Sequence, residues 1–221
     1  MPSHGRIVIP GLPHHVTQRG NRRQKVFFND KDKAFYLRLL RRYAKKAGVI
    51  FWAYCIMDNH VHFVAVPSNE TGLALAFGNT HKFYTKIINA RQEWRGYLWQ
   101  GRFTSFPLDE DYLYNAVRYI ETNPVRAKLV LSARDWDWSS ARSHIDKIPN
   151  PIIQASPLDD KIQNWKEYLE SSLSNKIARE FLSHAKSGFP LGNEAFLHRL
   201  EELTGQPMRK LKPGRKGDPK R

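Results

Sequence analysis

Two short apolar runs, IFWAYCIM at 50–57 and HVHFVAV at 60–66, flank the polar pair Asp58-Asn59. Runs rich in β-branched and aromatic residues around a two-residue polar break predict a β-hairpin with a tight turn. Side chains alternate faces along a strand, so His60, His62, Val64 and Val66 share one side and Val61, Phe63 and Ala65 the other. Upstream, RIVI at 6–9 and HHVTQ at 14–18 flank Pro10-Gly11-Leu12-Pro13, which predicts a first strand broken by a turn, or a lead-in and then a strand. Tyr36, Leu39, Leu40, Tyr43, Ala44 and Ala47 recur at spacings of three and four, one face of an amphipathic helix. Asn29 or Asp30 caps it, and it runs to about Lys46 with Gly48 just past its end.

After the hairpin, Thr71 is placed to cap a second helix over 72–93, whose pattern Gly78-Asn79 interrupts. YLWQGRFTSFP at 97–107 predicts another strand, with Gly101 as a bulge or a point of close approach. A third helix starts at Asp109-Glu110-Asp111, whose carboxylates favour a helix N-terminus, and runs to about Thr122. Asn123-Pro124 must end or kink it, because the residue before proline is pushed out of helical geometry. Pro124 at a first helical position, capped by Asn123, would open a short helix, VRAKLV. The order strand, helix, strand, strand, helix, strand, helix is that of an α+β, ferredoxin-like fold: a four-stranded antiparallel sheet with two helices on one face. The other face stays open for a substrate and one more helix. Residues 1–145 are then expected to form one unit. Residues 146–221 form a C-terminal helical extension, with helices near 160–186 and 192–204 and a basic tail, KLKPGRKGDPKR, expected to be disordered.

Charge narrows the function. Against 21 Asp and Glu stand 36 Lys and Arg, a formal +15, and an excess of that size points to a polyanion, nucleic acid before a membrane surface. No apolar run is long enough to cross a bilayer, the N-terminus lacks a signal peptide's apolar segment, and a lone Cys55 allows no internal disulfide. A cytoplasmic, nucleoid-associated protein is the expectation.

Two imidazoles two residues apart on a rigid strand can converge on one divalent cation, although such a pair is more often cross-strand packing. Tyr119 and Asn123 stand four apart, on one face of a helix. Were that helix to cross the open sheet face beside His60 and His62, Asn123 could add an oxygen ligand and Tyr119 could face a phosphate held there. A phenol with a pKa near 10 needs an electrophilic partner or a base to attack at neutral pH. By spacing alone Tyr112 and Tyr114 are equal candidates, and Asn123 is as readily a helix cap. Arg19, Arg22 and Arg23 make a cationic loop after the first strand. Arg102 and Arg126 are the other cations close in sequence to these elements, and Lys82 lies on the second helix.

The stretches MDNHVHFV, GYLWQGRF, RYIETNPVRAKLV, WSSA, FPLGNEAFLHRLE and the closing KPGRK resemble, nearly end to end and in order, the REP-associated tyrosine transposases. These are domesticated bacterial relatives of the single-tyrosine, His-hydrophobic-His transposases of insertion sequences. The resemblance implies a ferredoxin-like endonuclease with Mg2+ or Mn2+ on His60, His62 and Asn123. It implies Tyr119 as the nucleophile that forms a 5′-phosphotyrosine link with single-stranded DNA, and palindromes folded into hairpins as substrates. By charge and by place in the sequence, His15, Arg19, Arg22, Arg23, Lys82, Arg102 and Arg126 are the candidate nucleic-acid contacts, in a monomer or a homodimer. One departure stands out: the family often has an aromatic residue where this chain has His14, just before His15. A hairpin-binding protein that does not cut is the alternative from a different class.

Overall fold

The computed structural model describes residues 5–209. Its centre is the predicted hairpin, strands β2 (Val49–Met57) and β3 (His60–Pro67), with β1 (His14–Arg19) and β4 (Thr104–Pro107) completing a four-stranded antiparallel sheet in the order β2-β3-β1-β4. Period-two alternation divides the sheet into two apolar faces. Val16, Phe51, Tyr54, Ile56, Val61 and Phe63 pack beneath α1 (Asp30–Ala47) and α2 (Gly72–Arg91). Ala53, Cys55, Met57, Val64 and Phe106 face the other way, onto α3 (Glu110–Glu121). A register shift between Phe51 and Ala53 turns Trp52 and Ala53 together to the α3 side, so the alternation resumes with opposite parity beyond it.

Local chemistry explains the helix ends. Asn29 accepts from the Asp32 amide at the start of α1, and Gly48 ends it at φ 65°, the left-handed conformation that glycine adopts without strain. Asp109 accepts from the Tyr112 amide at the start of α3. Gly78-Asn79 does not interrupt α2, where Gly72, Leu73, Ala76, Phe77, Thr80, His81 and Tyr84 are buried; packing outweighs the roughly 1 kcal/mol that a mid-helix glycine costs.

Three expectations change and one alternative is decided. Residues 6–9 are a lead-in rather than a strand; Ile7 and Ile9 pack against Phe196, Leu200 and Met208 of the C-terminal region, around α9 (Glu194–Thr204). Of 97–107 only β4 is a strand. Gly96 (φ 89°) and Gly101 (φ 73°) turn the chain, so Leu98 and Trp99 drop into the core beneath α1 and α2. The short helix after α3 is confined to α4 (Asn123–Arg126), with Asn123 inside it and no side-chain cap, and Lys128 (φ 58°) ends the turn. The segment near 160–186 splits into α6 (Pro157–Lys161), α7 (Trp165–Glu170) and α8 (Asn175–Ser187), because Asn164 and Ser174 each cap a new start. The basic tail, 210–221, lies outside the described residues.

The extension is part of the same core as the sheet. Leu158, Ile162, Trp165, Phe181 and Leu191 pack with α3 and the α3-side strand residues. Phe181 is fully buried; burying a side chain of that size contributes about 1.5–3 kcal/mol, which fastens α8 over the face that the sequence left open. Between α4 and this region in the chain, α5 (Ala141–Asp146) sits beside the hairpin, with Ser140 Oγ accepting from the Tyr54 amide at 2.9 Å.

Candidate active site

β3 puts His60 and His62 on the α3 side, with ring centroids 5.0 Å apart and nearly perpendicular. α3 lies across that side because Leu113, Ala116, Val117 and Ile120 are buried against the sheet, and this brings Tyr119 to 5.7 Å from the His62 ring. Its rivals point elsewhere. The Tyr112 hydroxyl donates to Glu180 at 2.9 Å, and burial followed by that carboxylate pushes its pKa up to about 12. The Tyr114 side chain hydrogen-bonds with Lys161. One turn beyond Tyr119, the amide nitrogen of Asn123 lies 3.4 Å from His60 Nε2. Asn123 therefore spends its side chain on the histidine rather than on a helix terminus.

The two imidazoles are oriented from behind. His60 Nδ1 donates to Asn59 Oδ1 at 2.6 Å. His62 Nδ1 lies 2.9 Å from His15 Nε2, with those two rings stacked at 5.1 Å. In the tautomer where both Nδ1 atoms carry the proton, each ring keeps its Nε2 lone pair for the site, the arrangement in which outer hydrogen bonds set metal ligands. Burial, followed by the charges of Arg19 and Arg126, lowers the His60 pKa to about 3. Burial and the neighbouring His60 and His15 lower that of His62 well below its ordinary value. Both rings are thus neutral at neutral pH, the form that coordinates a cation.

Positive charge borders this face. Arg19 pairs across from His60 in the β1–β3 register. The Arg126 guanidinium sits 3.9 Å from the Tyr119 ring centroid and donates to the Tyr119 carbonyl at 2.8 Å. Arg22 and Arg23 are exposed in the loop after β1 and hold left-handed backbone angles, φ 50° and 62°. Such strain costs of order 1–3 kcal/mol per residue, and the Asn59 side chain helps hold it by donating to the Arg23 carbonyl at 3.0 Å.

Other predicted contacts are not brought to the site. His15 is 1% exposed, enclosed by Phe106, Tyr119 and Phe181; it backs His62 and has no surface for DNA. Lys82 is exposed on α2, on the opposite side of the sheet. Arg102 is exposed in the loop before β4, where, after burial, its charge helps lower the pKa of Arg6.

Sequence reasoning missed Asn59, whose one amide ties the His60 ring to the arginine loop, because an Asn in a turn reads as turn chemistry alone. It also missed Phe181, which packs 5.1 Å from Tyr119. Among the described residues no group of three or more His, Cys, Asp or Glu side chains could hold a metal ion. The donor set here would be two imidazoles and the Asn123 amide oxygen, brought round by turning the amide about its terminal torsion. That set fits a borderline divalent cation such as Mn2+.

The model of the family "Transposase IS200 like" matches residues 9–123, just over half of the chain. The chain belongs to the IS200-like transposase family. The match ends on Asn123, so it spans β1, the histidine strand, Tyr119 and the site's amide. A Haemophilus influenzae (strain Rd) protein, provisionally assigned as a REP-associated tyrosine transposase, is 29% identical over 99 residues, 40% of this chain. The match spans 56% of that relative's length, so the chain covers about half of the curated relative it resembles. A solved REP-associated tyrosine transposase bound to a REP hairpin superposes with a TM-score of 0.56 at 19% identity, covering 71% of this chain and 93% of the other. That likeness places both chains in one fold. No helix among the described residues is long and apolar enough to cross a membrane.

Proposed function

We propose that this IS200-like transposase is a metal-dependent single-strand DNA endonuclease and strand transferase that acts on hairpin-forming palindromes through a 5′-phosphotyrosine intermediate. One observation carries the reading: His60 and His62 of β3, Tyr119 of α3 and Asn123 of α4 converge on one buried face with two arginines at its rim. In the reaction the Tyr119 oxygen bonds to phosphorus as the bond from phosphorus to the 3′-oxygen breaks. The phenol loses its proton, the leaving 3′-oxygen gains one, and the 5′-phosphate stays esterified to tyrosine. One ester replaces another, so the step needs no external energy source and can run backwards to rejoin a strand. Arg126, against the Tyr119 ring, and Arg19, beside His60, put fixed positive charge where negative charge gathers on the phosphoryl oxygens. Held by His60, His62 and Asn123, a divalent cation would polarise that phosphoryl group.

Tyr119 is 6% exposed and its ring is covered by Phe181. This favours a second reading, in which the chain binds the hairpin without cutting it. A 3′-labelled hairpin oligonucleotide with a single-stranded flank separates the two. The first reading expects a label on the protein that survives denaturation, needs divalent metal and vanishes in Tyr119→Phe while hairpin affinity stays within a few-fold. Tight binding by the wild type with no adduct leaves the second reading standing.

A further inference from the structure

Beside the site, α4 and α7 wall a cleft of about 320 Å³ that the reading above does not use. Its floor is apolar, made by Val125, Ala133, Ile145 and Leu169, which pack as a small core of their own. Arg126 and Lys166 bring cations to it, and Ser132, Ser171 and Ser172 bring small polar groups. At its edge Leu131 is 98% exposed, so a large aliphatic side chain stands wholly in water. The cleft is continuous with the nucleophile through one residue, since the same Arg126 lies against the Tyr119 ring.

We propose that this cleft receives one unpaired nucleotide of the strand that Tyr119 engages, next to the scissile phosphate, and so contributes to the choice of cleavage position. The inference rests on the DNA-acting reading. Apolar walls with a few convergent polar groups describe a pocket for a ring with polar edges, and a nucleobase is such a ring. Leu131 would pack on the exposed face of the base. The serines and the Glu170 carboxylate would meet donors and acceptors on its edge. Arg126 and Lys166 would take the flanking phosphates, and Lys166 can exchange for one its long 3.9 Å ion pair with Glu170. Single strands suit this mode of recognition because their bases can be splayed out and packed one at a time against side chains.

The test is a panel of single-stranded oligonucleotides carrying, one position at a time across the cleavage site, each base or an abasic unit. Adduct formation is compared between the wild type and Leu131→Ala with Lys166→Ala, both exposed residues whose truncation leaves the core intact. At one position within two nucleotides of the cut, an abasic unit should slow the wild type roughly tenfold, the loss of one base contact. The double variant should be slower on the intact strand and indifferent to the abasic unit there, with the other positions unaffected. A variant that loses the same factor on every oligonucleotide, or that discriminates as the wild type does, overturns the proposal. If the wild type forms no adduct, the cleavage reading fails, and fluorescence anisotropy binding of the same panel still decides the cleft by the same pattern.

Discussion

The buried pair Glu121–His144 permits the sharpest test of how α3 is held in place. Glu121 is fully buried, and its Oε1 accepts from His144 Nδ1 at 2.7 Å and from the Ser140 hydroxyl, while its Oε2 has no partner among the described residues. Burial opposes a charge on His144, yet the facing carboxylate outweighs it and holds the imidazole pKa above its ordinary value. The ring also stacks on Trp165 at 4.1 Å, 13° from parallel. His144→Ala removes the counter-charge and leaves a carboxylate that no water reaches, a loss of about 3–5 kcal/mol in comparable pairs. The lost stacking adds roughly 0.5–1.5 kcal/mol. Against a total stability of about 5–15 kcal/mol, the variant should be marginal. Removing both partners leaves no orphaned charge, so Glu121→Ala with His144→Ala should cost clearly less than the two singles added together. Urea unfolding of the four proteins measures this, with equal m-values as the check that one transition is compared. Because Glu121 sits between Tyr119 and Asn123 on the last turn of α3, His144→Ala should also lower adduct yield under conditions where the protein remains folded. A single-variant cost below about 1 kcal/mol, or additive singles, would mean the carboxylate is neutral or solvated and the account is wrong.

Acid should unfold the protein through histidines remote from the site: burial lowers the pKa of His81 to about 3 and of His14 to about 4. With folded values below the unfolded 6.5, the unfolded chain binds the extra proton, so stability falls as pH drops through 6.5, and at pH 5.5 it is lower than at pH 7.5 by about 1.4 kcal/mol per group. His81→Gln should shrink the stability difference between pH 7.5 and 5.5 by that amount in denaturant titrations, and an unchanged difference would remove His81 from the account. For the metal, Mn2+ binding followed by electron paramagnetic resonance should disappear in His62→Ala and weaken several-fold in Asn123→Ala. Equal binding by wild type and Asn123→Ala would leave the amide as a hydrogen-bond partner of His60 only. Gly48→Ala should cost about 1–2 kcal/mol from the left-handed backbone alone, with more because the new methyl meets the Ser68 hydroxyl; a melting temperature within one degree of wild type would count against that.

The hairpin was legible because its period is two and its turn is two residues long, and alternation then assigned His60 and His62 to one face without any tertiary information. Tyr119 and Asn123 were legible as a pair for the same kind of reason, a helical repeat of four. What alternation could not supply was the partner across a long sequence separation. His144 lies 23 residues from Glu121, and His15 lies 47 from His62. A lone histidine in a mixed segment has no pattern that names its partner. Trp99 and Phe103 misled in the opposite direction: aromatic content suggested a long strand, while two left-handed glycines bent the segment so that both rings could enter the core. Phe181 is the consequential case. The amphipathic spacing of α8 says that one side is apolar, but any apolar surface would satisfy it. Only the fold shows that its target is the face carrying Tyr119. Tyr119, the proposed nucleophile, is then ordered by an element that the sequence assigned to a separate extension, and its 6% exposure follows from that contact. In the proposed reaction α8 and the DNA strand would share this face, which would tie the C-terminal helices to the chemistry rather than to solubility.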